Sequence, residues 1–463
     1  MEDLPASAPL SLQVKRTFGF ALPIVVARSA ILIMFTVDTM MTGWSGAREL
    51  AYLGLGLAPQ LSLMLIAIGL LTSTVVLASQ AFGAGEHARC GDIWRTGLAH
   101  AVVLGAAIYA LSLLAGPFFL VTGQDPEIAA GAARVTRVFA MSVPGMLLYV
   151  TTNLFLEATG RQRVGMMVML VANVLNVPLN GIFALGWGGF VEPMGAVGAV
   201  ATSAALRWLA FAAVVVFAFV AAGRDDEFGA RAPLAVWARS FLTLGGPNGR
   251  AMRRLGLPIG LAQGIESAAF ATVVLIAGHL GEKALAAHQL TMLLVTLIFM
   301  NAVGMSGATS IRVGRAVGRG DAPAVRIAGW IGVGLGAAIA LPFAAAYIAL
   351  PREIAGLFVA DETVLGYAGE TVRVAGVILV FDAMMVVTMG ALRGAGDVWV
   401  PLGLQASAFW LAMLPTAYVL AFGLGFGPVG LIGGILVGIL ASLTLLFPRF
   451  NAVSKRPPRR IRH

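Results

Sequence analysis

The chain has 463 residues, of which 59% are hydrophobic and only 11% are charged, and its mean hydropathy is +0.89. Because an ordinary soluble domain carries roughly 25% charged residues, this composition excludes one. Long apolar runs without the alternation of barrel strands predict an α-helical, multi-pass membrane protein. The net charge of +9 could suggest a nucleic-acid partner. The basic residues, however, are concentrated in the loops on one side of the predicted membrane, so the charge indicates orientation instead.

Twelve apolar spans are predicted in chain order, near 17–43, 51–79, 96–121, 135–157, 164–186, 194–222, 255–279, 284–309, 325–350, 366–391, 399–422 and 428–448. The first 16 residues lack the features of a removable signal, so we expect the first span to remain as a helix. With the N-terminus cytoplasmic, 23 of the 31 basic residues lie on that side and 6 on the other. This bias predicts that both termini are cytoplasmic. We read the preference for Arg over Lys as the coding bias of a bacterium, and we expect the protein in the inner membrane.

An internal repeat organises the chain. Residues 22–86 align without a gap to residues 257–321, at an offset of 235, with 16 identities over 65 positions, where roughly six are expected by chance. Residues 156–160 (LEATG) match 392–396 (LRGAG) at an offset of 236. The chain is therefore read as one half duplicated, and two six-span lobes of this kind are typical of secondary transporters.

The polar stretch 223–254 divides these halves. We predict an N-lobe at 1–222, a cytoplasmic linker at 223–254, a C-lobe at 255–450 and a basic cytoplasmic tail at 451–463. Each lobe has an even number of spans, so both lobes insert with the same orientation.

Intramembrane acids are the first candidates for function, because a charged side chain inside a bilayer is costly. Asp38 lies inside the first span, with no counterpart in the second half, where Val273 occupies the aligned position. Asn173, Asn176 and Asn180 share one face of the fifth span and could bond a carboxyl in either protonation state. The alternative for Asp38 is a buried structural carboxyl, and for Asn173 a simple interhelical contact is the better reading.

The second half has acids of its own. Glu266 and Asp382 lie mid-span in the seventh and tenth spans. If they meet, they could hold a monovalent cation such as Na⁺, or one could keep a proton because like charges ionise poorly together. If they do not meet, each is a separately satisfied buried acid. Arg28 is too far along the first span to pair with Asp38 and receives no role.

The sequence lacks the residues that ATP binding, disulfide formation or a metal cluster would require. The sequence has no Walker A motif, so ATP is not expected as the direct energy source. A single cysteine and five scattered histidines predict neither a disulfide nor a metal cluster. We therefore expect no enzyme activity and no cofactor, with H⁺ or Na⁺ as the coupling ion.

Several segments together resemble the multidrug and toxic compound extrusion (MATE) family, and its NorM-like branch in particular. They are 37–43 (VDTMMTG), 176–180 (NVPLN), 195–202 (GAVGAVAT), 286–289 (AAHQ), 312–321 (RVGRAVGRGD) and 391–394 (ALRG). The resemblance covers essentially the whole chain. It implies a twelve-helix antiporter that exports cationic or amphipathic compounds in exchange for H⁺ or Na⁺.

The family's site residues fall on named positions of this chain. The resemblance implies a protonation and drug-linked site at Asp38, Asn176, Asn180 and Thr202, and a cation site, with possible Na⁺ coordination, at Glu266 and Asp382. Sodium-driven members place a Tyr one turn before the second-half Asp, where this chain has Ile378, so proton coupling is favoured. The expected partners are small organic cations and membrane lipids, with no nucleic acid, and a monomer is expected.

A lipid or lipid-linked oligosaccharide flippase of related architecture is the alternative. Such a protein needs several cations in its cavity to bind phosphate, and the basic residues that lie deepest within the predicted spans are only two, Arg28 and Arg207.

Overall fold

The computed structural model describes residues 7–221, 226–229, 231–359 and 361–461. The described chain is all-helical in its regular structure and contains twelve helices that are long and apolar enough to cross a membrane, which confirms the predicted fold class. In chain order they are α1 Leu10–Ser45, α2 Ala47–Gly83, α3 His87–Ser112, α4 Pro126–Ala158, α5 Gln162–Phe183, α6 Gly195–Ala221, α7 Gly246–Gly278, α8 Glu282–Arg319, α9 Ala322–Ala349, α10 Glu362–Gly394, α11 Trp399–Gly423 and α12 Gly427–Ser454.

Several helices extend beyond the predicted spans, and two predicted segments differ from the structure in their helical content. The predicted span 96–121 is broken, because α3 ends at Ser112 and a separate short helix covers Ala115–Val121. Pro117 stands in the first turn of that short helix, where a missing backbone N–H is tolerated. The predicted linker is partly helical as well, since α7 begins at Gly246 and a nine-residue helix covers Leu234–Leu242. We call this nine-residue segment the linker helix.

Proline changes the hydrogen-bonding of α11. Two π-helical segments, Ala408–Met413 and Val419–Gly423, flank a short α-helical segment, Leu414–Tyr418, that contains Pro415. Proline has no N–H to donate and its ring crowds the preceding turn, so the surrounding turns widen. The irregular hydrogen-bonding of α11 is therefore centred on Pro415.

The repeated glycines have a conformational reason. Gly46 has φ 132° and its repeat partner Gly281 has φ 96°, while Gly85 and Gly320 both have φ 76°. Gly160 and its partner in the repeat have φ 85° and 83°. Residues with a Cβ rarely adopt these backbone angles, so each turn between spans requires glycine in both halves. The duplicated sequence thus preserves duplicated turns.

Aspartates begin several helices. The Asp125 carboxylate accepts hydrogen bonds from two backbone N–H groups at the start of α4, and Asp321 accepts one at the start of α9. Asp361 caps α10, and the hydrogen bond from the Val364 N–H together with the Lys283 ammonium lowers the pKa of its carboxyl below the ordinary value. These caps satisfy backbone donors that the first helical turn leaves unpaired.

Close contacts divide the chain into two units. One contains the chain as far as Val25 together with Leu261–Arg460, and the other contains Val26–Gly260 and the chain from Ile461 onward. Helices α1 and α7 therefore each begin in one unit and continue in the other. The most buried span of the second unit is α4, and that of the first unit is α10, which is its repeat counterpart.

Candidate functional site

The carboxylate of Asp38 is the centre of the best-formed polar site. Asp38 lies on α1 and is only 4% exposed. Its Oδ1 accepts hydrogen bonds from Asn176 Nδ2 at 3.0 Å and from Asn180 Nδ2 at 2.7 Å. The Ser203 hydroxyl donates to Oδ2. A buried carboxyl with three side-chain donors is a satisfied group, in a region where an unsatisfied one would be expensive.

Helix α5 supplies two of these donors from one face. Asn176 and Asn180 are one turn apart on either side of Pro178, and both side chains are fully buried. Asn173, one turn earlier, points elsewhere, because its Nδ2 donates to the backbone oxygens of Ala30 and Met169, both at 2.9 Å. Two of the three amides that share a face in sequence therefore reach Asp38.

The third donor is a residue that the sequence did not select. Thr202 is buried, but its hydroxyl has no hydrogen-bond partner among the described residues. The next residue, Ser203, makes the contact instead. One residue along a helix rotates a side chain by about 100°, so the two hydroxyls point in different directions. From the sequence, Ser203 could have been selected only by working out which face of α6 points toward the asparagine face of α5.

Arg207 lies one turn beyond Ser203 and adds a positive charge beside the site. Its guanidinium interacts electrostatically with Asp38 and donates to the Ser142 hydroxyl at 2.6 Å. It also stacks over the rings of Phe35 and Phe139, at 5.2 and 4.7 Å. The aromatic faces and the hydroxyl stabilise a cation that is only 5% exposed. Arg207 thus places a buried positive charge near Asp38, which sequence reasoning missed.

A second buried acid of the same unit was also missed. Glu157 on α4 is 1% exposed and accepts a hydrogen bond from Asn153 at 2.7 Å. Arg28 on α1, which received no role from the sequence, pairs with the same oxygen of Glu157 at 3.5 Å. Glu157 is part of the LEATG segment, and its position at the end of a predicted span concealed its burial.

The acids of the second half are less completely bonded. Glu266 on α7 accepts one side-chain hydrogen bond, from Gln405 Nε2 at 3.3 Å, and lies within electrostatic range of Arg393. Asp382 on α10 is 8% exposed, and no described residue donates a hydrogen bond to its carboxyl. It borders a small cavity that Asn301, Met305 and Gly336 also line.

Glu266 and Asp382 are electrostatic neighbours but are not joined by a hydrogen bond. Among the described residues, no group of three or more His, Cys, Asp or Glu side chains could hold a metal ion. Ile378, one turn before Asp382, is 1% exposed and packs in the apolar core of this unit. The structure therefore brings the two acids within electrostatic range of each other without a third acid, histidine or cysteine among the described residues.

Comparison with known proteins identifies the chain. The sequence profile of the MatE family matches it twice, at residues 23–182 and 258–419, one match in each half of the repeat. The chain belongs to the MATE family. This is a family of transporters and not of enzymes, as the sequence indicated.

Relatives of this MATE protein cover almost its entire length. It is 30% identical over 454 residues to the probable multidrug resistance protein NorM of Pseudomonas putida, covering 96% of this chain and 95% of the relative. It is 28% identical over 455 residues to the multidrug resistance protein MdtK of Pectobacterium atrosepticum, covering 97% of each chain.

Solved MATE structures share the fold. A MATE transporter crystallised in a straight conformation superposes with a TM-score of 0.85 at 21% sequence identity, covering 96% of this chain and 97% of the other. A eukaryotic MATE transporter superposes with a TM-score of 0.83 at 19% identity, covering 96% and 98%. These matches confirm the twelve-helix MATE architecture.

Proposed function

We propose that this MATE family protein is a secondary multidrug efflux antiporter, which exports cationic or amphipathic compounds in exchange for H⁺ or Na⁺. The observation that carries the proposal is the Asp38 carboxyl, which is buried within a membrane helix yet held by three side-chain donors. A buried, reversibly neutralised carboxyl is what a cation exchanger needs, because drug and coupling ion must compete for one negative charge. The NorM and MdtK relatives, named as multidrug resistance proteins, support the same reading.

Transport proceeds by alternating access between two lobes, which we take as residues 1–222 and 255–450, joined by the linker 223–254 and followed by the tail 451–463. The coupling ion neutralises Asp38 or the Glu266 and Asp382 carboxyls, and the neutral site tolerates closure of its surroundings. Protons are favoured over sodium, because Ile378 offers no oxygen ligand beside Asp382. No cofactor is required.

The protein works as a monomer in the bacterial inner membrane, with both termini in the cytoplasm. Support for this orientation comes from the distribution of Lys and Arg between the loops.

A lipid flippase is the weaker candidate, because the intramembrane cations already have acidic partners. Arg28 pairs with Glu157, and Arg207 interacts with Asp38. Neither guanidinium is available as an uncompensated positive charge for a lipid phosphate. The charge pattern therefore gives a lipid phosphate little support at these two arginines.

The experiment uses purified protein in liposomes loaded with a fluorescent cationic dye, under an imposed pH gradient or sodium gradient. Wild type is compared with Asp38→Asn and Glu266→Gln. Asp361→Asn is the matched control, since it makes the same chemical change at a half-exposed acid outside the spans. We expect gradient-driven dye movement in wild type and in the control, its abolition in Asp38→Asn, and a reduced rate in Glu266→Gln.

The ion whose gradient drives the dye is the coupling ion. Dye movement that persists in Asp38→Asn would refute the central role of this carboxyl. No movement under either gradient, with lipid translocation in the same vesicles, would support the flippase instead.

A further inference from the structure

The linker helix Leu234–Leu242 has an apolar face without a protein cover. Leu234 is 83% exposed, Leu242 is 86% exposed, and Phe241 is 38% exposed. With Ala238 these residues occupy positions i, i+4, i+7 and i+8, which form one continuous stripe on a helix. Arg239 lies at the edge of this stripe. Because a helix of nine residues is marginal by itself in water, removing this stripe from water would stabilise it.

The contacts of the linker helix with α3 indicate how deep it lies in the membrane. Trp237 contacts Trp94 edge to face at 5.7 Å between ring centroids. Gly245, just beyond the helix, approaches Thr96 so closely that a Cβ there would lie 2.3 Å from its side chain. Trp94 and Thr96 are seven and nine residues into α3, about 10 to 13 Å from its first residue at 1.5 Å per residue.

That depth coincides with the edge of the apolar part of α3. The ionised side chains of this helix, Arg89, Asp92 and Arg95, all lie before Thr96. From Thr96 to Ser112 the helix carries no Asp, Glu, Lys or Arg. A helix that packs beside Trp94 and Thr96 therefore lies at the boundary between the headgroups and the hydrocarbon of the bilayer.

The segment before the linker helix is fixed to the same unit. Phe228 is 1% exposed, packs edge to face against Phe155 and lies beneath the Arg161 guanidinium, whose carbon is 4.8 Å from the ring centroid. Arg95 donates to the backbone oxygen of Gly229, and His87 pairs with Glu227 at 2.5 Å. These contacts hold the start of the linker beside the start of α3 and the end of α4, so the linker helix keeps its depth.

The charges around the stripe suit an anionic surface. Exposed arginines lie in and beside the linker helix at Arg231, Arg239, Arg250 and Arg254. The nearby acids have other partners, because Glu227 pairs with His87 and the Asp226 carboxylate accepts the Arg231 backbone N–H. Basic residues near an anionic membrane surface contribute about 1 kcal/mol each to its attraction.

We infer that the linker helix lies in the plane of the membrane surface, with Leu234, Ala238, Phe241 and Leu242 among the upper acyl chains and Arg239 at anionic phospholipid headgroups. The helix is a membrane-surface anchor between the two halves of the chain, and it tethers the start of α7 to the lipid. This inference depends on the twelve spans and not on the transport activity.

The test measures the depth of single spin labels in vesicles. In a background with Cys90→Ala, which removes the single and buried cysteine, nitroxides are placed at 239, 241 and 242 of the full-length protein. Their collisions with lipid-soluble oxygen and with a water-soluble nickel chelate are compared in vesicles of phosphatidylglycerol and phosphatidylcholine. Position 239 is the matched control, because it lies within three residues of the others but at the polar edge.

In phosphatidylglycerol vesicles we expect oxygen accessibility to exceed nickel accessibility severalfold at 241 and 242, and the opposite order at 239. In phosphatidylcholine vesicles the contrast should shrink, because the arginines lose their anionic partners. Equal nickel accessibility at 239, 241 and 242 in phosphatidylglycerol would overturn the inference and leave the stripe for a protein partner. A contrast of the same size in both lipids would overturn the anionic headgroup assignment.

Discussion

The two halves of the chain arose by duplication of one sequence, but equivalent helices carry buried charges of opposite sign. In the first half α1 carries the base Arg28 and α4 the acid Glu157, which form an ion pair at 3.5 Å. In the second half α7 carries the acid Glu266, and α10 carries the base Arg393 at the position aligned with Glu157. The sign of the charge is therefore reversed between equivalent helices. Only the position of Glu157 and Arg393 is charged in both halves, because Arg28 aligns with Gln263 and Glu266 aligns with Ile31.

The acids of the two halves also differ in how completely they are bonded. Asp38 receives three side-chain hydrogen bonds, whereas Glu266 receives one and Asp382 receives none from the described residues. Three donors fix the orientation of a carboxyl, whereas a carboxyl with few donors is freer to change its rotamer or its hydrogen-bond partner. The comparison indicates that the first half holds a preformed site and the second half a more adaptable one.

The largest effect is expected from removing the two carboxyls. Asp38→Leu removes the acceptor that Asn176, Asn180 and Ser203 share and leaves the two amides only their 3.4 Å contacts within this group. We expect it to destabilise the protein by about 3 kcal/mol. Asp382→Leu orphans no described donor and should cost less than about 1 kcal/mol. Unfolding of the purified variants in detergent, followed by circular dichroism, measures the difference.

Asp38→Asn is the control for this experiment, because the amide keeps one acceptor oxygen for the same neighbours. Its loss of stability should be clearly smaller than that of Asp38→Leu. If Asp38→Leu and Asp382→Leu lose the same free energy of unfolding, the hydrogen bonds of Asp38 contribute no extra stability. The contrast between the two halves would then be wrong.

A smaller effect is expected at the ion pair of the first half. Arg28→Met leaves the buried Glu157 carboxylate with Asn153 as its remaining side-chain partner, and we expect a loss of about 2 kcal/mol, discounted for the partial exposure of Arg28. The double variant Arg28→Met/Glu157→Gln should regain part of this loss, because the uncompensated charge is gone. The measurement is a double-mutant cycle on unfolding in detergent.

Glu266→Gln provides the matched comparison in the second half, where no described ion pair within 4.0 Å would be broken. It should change stability less than Arg28→Met does. Strictly additive effects of Arg28→Met and Glu157→Gln would show that the first-half pair contributes no coupling energy.

The smallest effect distinguishes two neighbouring hydroxyls of α6. Ser203→Ala removes a donor from Asp38 and should slow gradient-driven dye transport by roughly tenfold, since a hydrogen bond to a charged group contributes about 1.5 kcal/mol. Thr202→Val removes a hydroxyl that has no described partner and should leave the rate within about twofold. Initial rates in liposomes, normalised to reconstituted protein, give the comparison. A slower rate in Thr202→Val than in Ser203→Ala would show that Thr202 belongs to the site, as the family resemblance implied.

Much of the fold was determined by the sequence alone. Twelve spans follow from apolar run length, because a bilayer leaves a helix no partner for its backbone other than itself. The duplication follows from aligned identities, and several of those identities are glycines whose backbone angles no other residue adopts easily. The acid Asp38 was also visible in the sequence, since a carboxyl inside an apolar run requires a reason.

Only the tertiary structure decided which polar groups meet. Asn173, Asn176 and Asn180 share one helix face, yet only the last two reach Asp38. Ser203 and not Thr202 completes the site, because the rotation of α6 about its axis is set by packing against other helices. Arg207 and Glu157 were hidden for the same reason. In an apolar chain nearly every face of a helix can be buried, so composition cannot reveal which face meets which neighbour.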